Sequence, residues 1–260
     1  MLLTLDIGNT NITIGLFKDD ILISTERIPS DIHYSVEKYN EILQERIGFS
    51  KISGCVIASV VNGLDITLME SVKSVFGVES LILNPTLDLG LTLKLLDNNE
   101  IGADRVANGI AAKLLYQLPA IVVDFGTANT FDIVNKNGEF IGGIIAPGIN
   151  TQLNSLSNAT SKLPNIDIGM SNFVIGNNTI DAILSGVIRG TACMVEGMIA
   201  QCEIELGEKA TLIATGGLSK LVAKYMSRQF DYINPILTLE GLRELYKLNQ
   251  KNLRLQHLTH

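Results

Sequence analysis

Leu2-Leu3-Thr4-Leu5-Asp6-Ile7-Gly8-Asn9-Thr10-Asn11-Ile12-Thr13 opens the chain and decides how the rest is read. Apolar Leu2, Leu3 and Leu5 lead to a carboxylate, Asp6. Gly8 and three small polar residues follow, then a β-type run through Ile12, Ile14, Leu16 and Phe17. That order predicts a buried strand, a tight turn and an antiparallel return strand. Asp6 then stands at the mouth of a sheet. Gly8 lets the backbone come close to a ligand, and the amides and hydroxyls after it suit anionic oxygens. Asp, Asn and Gly are also ordinary turn residues, so the stretch alone fits a plain hairpin as well.

The layout recurs at Val123-Asp124-Phe125-Gly126-Thr127-Ala128-Asn129. Again an apolar strand meets Asp, a large apolar residue, Gly and small residues, and β-type residues follow (Thr130, Phe131, Ile133, Val134). Two such turns about half a chain apart suggest duplicated halves facing each other across a cleft. A polyphosphate and its metal ions would be held between the two carboxylates.

A chain of 260 residues that is 46% hydrophobic has ample core material for one large domain or two smaller ones. No apolar run reaches the ~18 residues that cross a bilayer, and the start lacks the basic region of a signal peptide. Cys55, Cys193 and Cys202 are few and not in metal spacing, so they read as reduced cysteines of a cytoplasmic protein. A net charge of -7 argues against a nucleic-acid surface. With His33, His257 and His260 as the only histidines, a zinc site or a Ser-His-Asp triad is not expected. Acid–base work falls to carboxylates.

In order, the pattern predicts a third strand over 21–28, completing a meander, then a helix over 34–47, a strand over 54–61, a helix over 65–76 and a strand over 80–83. The stretch 89–99 reads as a connection. A helix is expected over 105–118, ended by Pro119. A second meander follows over 121–146, then a helical stretch over 147–156 and a polar, substrate-covering segment over 157–178. A long apolar helix runs over 179–206, and its small residues suit close packing on a partner helix or in the core. A strand over 210–214 enters Thr215-Gly216-Gly217, a turn that leads to a helix over 220–227 and can accept a nucleotide sugar or base. A helix over 239–248 and a frayed tail from 249 end the chain.

No Walker loop and no Gly-x-Gly-x-x-Gly after a strand are present. What remains are the two Asp turns and Gly102-Ala103-Asp104-Arg105. Phosphoryl transfer needs phosphate donors, a divalent metal and a group that deprotonates the acceptor. Asp6 can hold Mg²⁺ through water, and backbone amides from Gly8 to Thr13 can line phosphates. Asp104 can act as general base, an effect of about 10²–10⁴-fold. Arg105 can grip an acceptor carboxylate in a fork. Equally, Asp104 can be the N-cap of its helix and Arg105 a solvated first-turn residue.

Asp6-Ile-Gly-Asn-Thr10, Gly102-Ala-Asp-Arg105, Asp124-Phe-Gly-Thr-Ala128, the run from Gly142 to Gly148, Ile175-Gly-Asn-Asn-Thr179, Ser185-Gly186 and Thr215-Gly-Gly-Leu218 appear in that order. Together they resemble type III pantothenate kinase, in the acetate and sugar kinase, heat-shock and actin superfamily, over nearly the whole chain. The resemblance implies an α/β fold of two ribonuclease-H-like, actin-like domains, each a mixed sheet that begins with a three-strand meander, with a cleft between them. The domains are expected at 1–100 and 101–260, the second carrying dimer-forming helices. It implies ATP-dependent phosphorylation of the primary hydroxyl of pantothenate, the first step to coenzyme A, in a cytoplasmic homodimer that uses neither nucleic acid nor membrane.

By the same resemblance, ATP falls to Asp6, Ile7, Gly8, Asn9, Thr10, Asn11, Ile12, Thr13 and Thr127. Pantothenate falls to Gly102, Ala103, Asp104, Arg105 and Thr179, with Asp104 as base. Asp124 becomes a ligand of a monovalent cation, K⁺ or NH₄⁺, alongside Mg²⁺ at Asp6. The chain departs from the family's Tyr-x-Asn-Pro at Leu96-Asp97-Asn98-Asn99, and from its usual Thr and Pro at Asn129 and Asn62. An inactive regulator of the same fold, or a superfamily kinase with another small hydroxyl or carboxylate acceptor, are the alternative readings.

Overall fold

In the computed structural model, the described residues are 1–48, 50–98, 100–159 and 166–256, without the side chains of 159 and 251–256. Eleven strands and eight helices follow one another among them. They are β1 (Leu2–Ile7), β2 (Asn11–Lys18), β3 (Ile21–Pro29), α1 (Val36–Ile47), β4 (Gly54–Ser59), α2 (Leu64–Phe76), β5 (Ser80–Ile82), β6 (Thr92–Leu93) and α3 (Ala103–Leu115). Then come β7 (Ala120–Phe125), β8 (Ala128–Val134), β9 (Glu139–Pro147), α4 (Ile149–Ala159), α5 (Thr179–Leu184), a π turn (Ser185–Arg189), α6 (Gly190–Leu206), β10 (Thr211–Thr215), α7 (Ser219–Ala223), β11 (Tyr232–Ile233) and α8 (Leu237–Gln256).

The chain divides into two compact units. One is Met1–Leu115 together with the C-terminal segment from Leu237; the other is Tyr116–Ile236. In the first, the sheet order is β3-β2-β1-β4-β5. The meander is antiparallel, while β4 and β5 join in parallel. β1 pairs residue for residue with β2, from Leu2 opposite Phe17 to Ile7 opposite Ile12. Leu3, Leu5, Ile7, Ile12 and Ile14 are buried and pack with Tyr39, Leu43 and Ile47 of α1 and with Leu64, Leu68 and Val72 of α2. Both helical sets recur every fourth residue, which puts each on one face. The Ser35 hydroxyl caps α1 by accepting from the Lys38 amide at 3.4 Å.

The second unit repeats the topology. Its strands run β11-β10-β7-β8-β9, with β7, β8 and β9 antiparallel and β10 and β11 parallel to β7. Val123, Phe125, Phe131 and Leu212 meet Val187, Ile188, Val195 and Ile199 in its core.

Several expectations need correction. The tail from 249 is helical to Gln256. Asn249 is 3% exposed, and its carboxamide donates to the Asp88 and Leu245 carbonyls and accepts from the Asp88 amide, at 2.8, 2.9 and 3.2 Å. Residues 257–260 lie outside the described residues. α8 packs on α3 inside the first unit. Thr179–Leu206 is, by length and composition alone, long and apolar enough to cross a membrane. Its Thr191, Ala192, Val195 and Ile199 are buried, and Glu203 holds Arg228 in two 2.7 Å hydrogen bonds, as suits a core helix. Of the expected covering segment, α4 takes 157–159 and 160–165 lie outside the described residues. Ser171 is bound to Arg189 at 2.9 and 3.1 Å, and Val174 accepts from the Ser185 hydroxyl at 2.6 Å.

Candidate active site

The Asp6 turn forms because β1 leaves its sheet at Ile7. The Gly8 amide donates to the Asn11 carbonyl at 3.0 Å, and the Ser30 amide donates to the Thr10 carbonyl at 3.2 Å. Asn9 and Thr10 are exposed; Asp6, Gly8, Asn11 and Thr13 are half-buried, and Ile7 and Ile12 are core. Asp6 is flanked in register by Thr13 on β2 and Ala58 on β4. Its carboxylate thus stands at the carboxyl ends of parallel β1 and β4, where open α/β sheets hold ligands.

β4 links this turn to the second motif. The Val60 amide donates to the Ile7 carbonyl at 3.0 Å. A Cβ added at Gly102 would lie 3.4 Å from Val60 Cγ1 and 2.5 Å from Asp104 Oδ1, so Gly102 is seated beside Val60 and a side chain there would displace the Asp104 carboxylate. α3 begins at Ala103, which puts Asp104 inside the first turn and not at the N-cap. The Val106 amide donates to the Gly102 carbonyl at 3.1 Å, and the Asp104 carboxylate accepts from the Arg105 amide at 2.8 Å. Burial pushes the Asp104 carboxyl above the usual carboxylate range; that amide bond and the Arg105 charge pull the other way. Beside Gly102 and Ala103 lies a cavity of about 420 Å³, walled also by Ser59, Val60, Leu89 and Asn98.

In the second unit, the Gly126 amide donates to the Ala128 carbonyl at 3.1 Å, and Thr127 is exposed. The Thr127 carbonyl accepts from the Gly148 amide at 3.1 Å and the Thr151 hydroxyl at 2.7 Å. Gly216, at φ 84°, sits so close that a Cβ there would lie 2.4 Å from Asp124 Oδ1. The Gly-Gly turn after β10 therefore lies against Asp124. Thr179 is exposed as the first residue of α5, whose cap is Asn178, accepting from the Asp181 amide at 2.9 Å. Asn129, where the family's Thr is usual, is 1% exposed and donates to the Pro147 carbonyl at 3.1 Å.

The sequence model of type III pantothenate kinase matches residues 2–201. The chain belongs to the type III pantothenate kinase family. Relatives of that name include one from Moorella thermoacetica, 39% identical over 254 residues, which cover 96% of this chain and all of the other. One from Roseiflexus sp. is 40% identical over 255 residues, with 96% and 100% covered. Among solved structures, the chain is similar to a conserved protein from Campylobacter jejuni assigned to the Baf family of transcriptional activators, at TM-score 0.63, 22% identity and coverage of 96% and 99%. It is also similar to MreB5 of Spiroplasma citri bound to ADP, at TM-score 0.52, 12% identity and coverage of 97% and 98%. At those identities the likeness is one of fold, and it agrees with two actin-like halves built on mixed sheets.

Of the segment that stands where the family has Tyr-x-Asn-Pro, the departing Leu96 is fully exposed and is not part of the cavity wall, whereas Asn98, at the pattern's own Asn, is. Gly216 lies in the Thr215-Gly216-Gly217 turn and Asn98 in the 96–99 segment singled out above, whereas buried Asp132 carries no turn or motif signal. A buried acid in the β-type run 130–134 was the single available cue, since Asp132 sits there among Phe131, Ile133 and Val134.

Proposed function

We propose that this chain carries out its family's reaction, transfer of the ATP γ-phosphoryl group to the primary hydroxyl of pantothenate at the head of coenzyme A synthesis, with Asp104 as general base. The observation that carries the assignment is the seat of Gly102 against Val60, which is bonded to Ile7 next to the Asp6 turn. One unit thus holds a phosphate-type turn and a buried carboxylate as close neighbours. A carboxyl raised by burial is a stronger base than an ordinary Asp, and closer to the operating pH.

Backbone amides of Gly8 to Thr13 and the side chains of Asn9, Thr10 and Asn11 line the phosphates. Arg105 pairs with the acceptor's carboxylate beside Gly102 and Ala103. The hydroxyl proton passes to Asp104, the hydroxyl oxygen bonds to the γ-phosphorus, and the bond from that phosphorus to the bridging oxygen breaks to release ADP. The fold family implies Mg²⁺, and Asp6 fits it. An oxygen donor at the sheet mouth suits a hard cation that keeps most of its water, and the metal would offset charge on the phosphates. Asp124 fits K⁺ or NH₄⁺ in the same sense, an oxygen ligand with Gly216 pressed against it.

The exposed stripe Gly186, Gly190, Cys193, Gly197 and Ala200 supports pairing of two chains. Its spacing alternates four and three residues, a helix-packing seam, and a Cβ at each of the three glycines would meet nothing. The free cysteines support a place in the cytoplasm. The test of the central assignment is Asp104→Asn. Turnover should fall by about 10²–10⁴-fold with ATP affinity kept; unchanged turnover would remove Asp104 as the base.

A further inference from the structure

α3 is held on both sides of Asp104. At its start, Gly102 is seated beside Val60. One turn beyond Asp104, and so on the same face of the helix, stands Asn108, which is 1% exposed. Its side-chain oxygen accepts from the Thr238 hydroxyl at 2.9 Å, a buried hydrogen bond to the first turn of α8. Beside it, Gly241 brings the backbone of α8 against the Ala107 carbonyl. α8 is seated in turn on the sheet that carries Asp6. Leu239 is buried, and a Cβ added at Gly15 of β2 would lie 3.0 Å from its Cδ1. The Thr4 hydroxyl, two residues before Asp6 on β1, donates to the Gly15 carbonyl at 3.3 Å. A continuous path of contacts therefore runs from the Asp6 strand through α8 to α3.

Apolar contacts are non-directional and tolerate a small slide of one helix along another. A buried hydrogen bond is directional and costly to leave unmade, so it selects one register. We infer that Thr238 is a positioning residue for the phosphoryl transfer: through Asn108 it sets the register of α3 on α8, and with it the place of the Asp104 carboxylate. This rests on the reading of Asp104 as general base. Thr238 acts only through Asn108 and α3. A misplacement of about 1 Å caused far from the reacting atoms can cost about 10²-fold in rate. Asp104 is needed for the proton transfer and not for holding ATP, so the effect belongs in kcat and spares the KM for ATP.

Steady-state kinetics with pantothenate and thermal melts of the full chain test the proposal together. Thr238→Val removes the hydroxyl and keeps the branched shape. Its kcat should fall about ten- to a hundredfold, with the KM for ATP unchanged within about twofold. Thr238→Ser keeps the donor and should retain kcat within about threefold. In the double variant Asn108→Leu, Thr238→Val, apolar groups of similar size replace both partners. Its melting temperature should return toward the parent's while kcat stays low, which separates register from stability. Parent-like kcat in Thr238→Val or in the double variant overturns the positioning role, and so does a Thr238→Ser as slow as Thr238→Val. A kcat that simply tracks melting temperature across the three variants assigns the pair to stability alone and overturns it as well. In all these cases the base reading stands if Asp104→Asn is slow. If Asp104→Asn turns over like the parent, the base reading falls and this inference with it.

Discussion

At Asp104 two effects pull the carboxyl in opposite directions, and burial is the larger. A base must be ionised to accept a proton, so activity is lost as pH falls through the raised value. The acid limb of kcat/KM should therefore lie above 3.8, the ordinary Asp value; a limb at or below it would contradict the burial argument. The stability sign is the reverse. A carboxyl raised in the folded state contributes stability below its unfolded value and loses it as pH rises through the folded one. Asp104→Asn should then be at least as heat-stable as the parent at pH 7, and a clear drop in Tm would count against that account. Glu203 is the opposite case. Hydrogen bonds from Arg228, Lys209 and the Ala210 amide hold its carboxyl at about 2. Its stabilisation is complete above its ordinary value of 4.5 and fades as pH drops toward about 2. Glu203→Gln should cost about 2 kcal/mol at pH 7, since Arg228 loses its charged partner while remaining partly wetted. Urea melts over this pH range would show the variant's curve flatter than the parent's.

The helices divide by what their glycines face. Gly241 of α8 lies so near α3 that a Cβ would come within 2.0 Å of the Ala107 carbonyl oxygen. Gly241→Ala improves helix propensity by about 1 kcal/mol, yet the clash should outweigh it, for a net loss of about 1–3 kcal/mol in urea unfolding. A stabilised variant would refute the close α3–α8 seat. At Gly190 nothing opposes a side chain within one copy. Gly190→Leu should leave the single chain folded and turn a dimer into a monomer by light scattering; an unaltered dimer would place the interface elsewhere. These elements also show what could be read in advance. The meanders were legible because alternation and an Asp-x-Gly turn are local signals, as at Leu3, Leu5, Asp6 and Gly8. The helical reach of α8 was not, because Asn249 is buried by a partner at Asp88, 161 residues away in sequence.

Both units thread their strands alike, a three-strand meander followed by two parallel strands, and each sets an Asp-bearing turn at the end of its first strand. That repetition was legible as two similar stretches, Asp6 to Asn11 and Asp124 to Asn129, and so was the run of motifs that led to the family. Asp104 could be named from Gly102-Ala-Asp-Arg105. Its burial and the seat of Gly102 on Val60 come from neighbours distant along the chain, which no local pattern encodes. The account rests on ATP consumption by the purified chain with Mg²⁺ and K⁺, with and without pantothenate. It predicts turnover that requires pantothenate and is lost when Na⁺ replaces K⁺; ATP bound by a folded protein with no pantothenate-dependent turnover would contradict it.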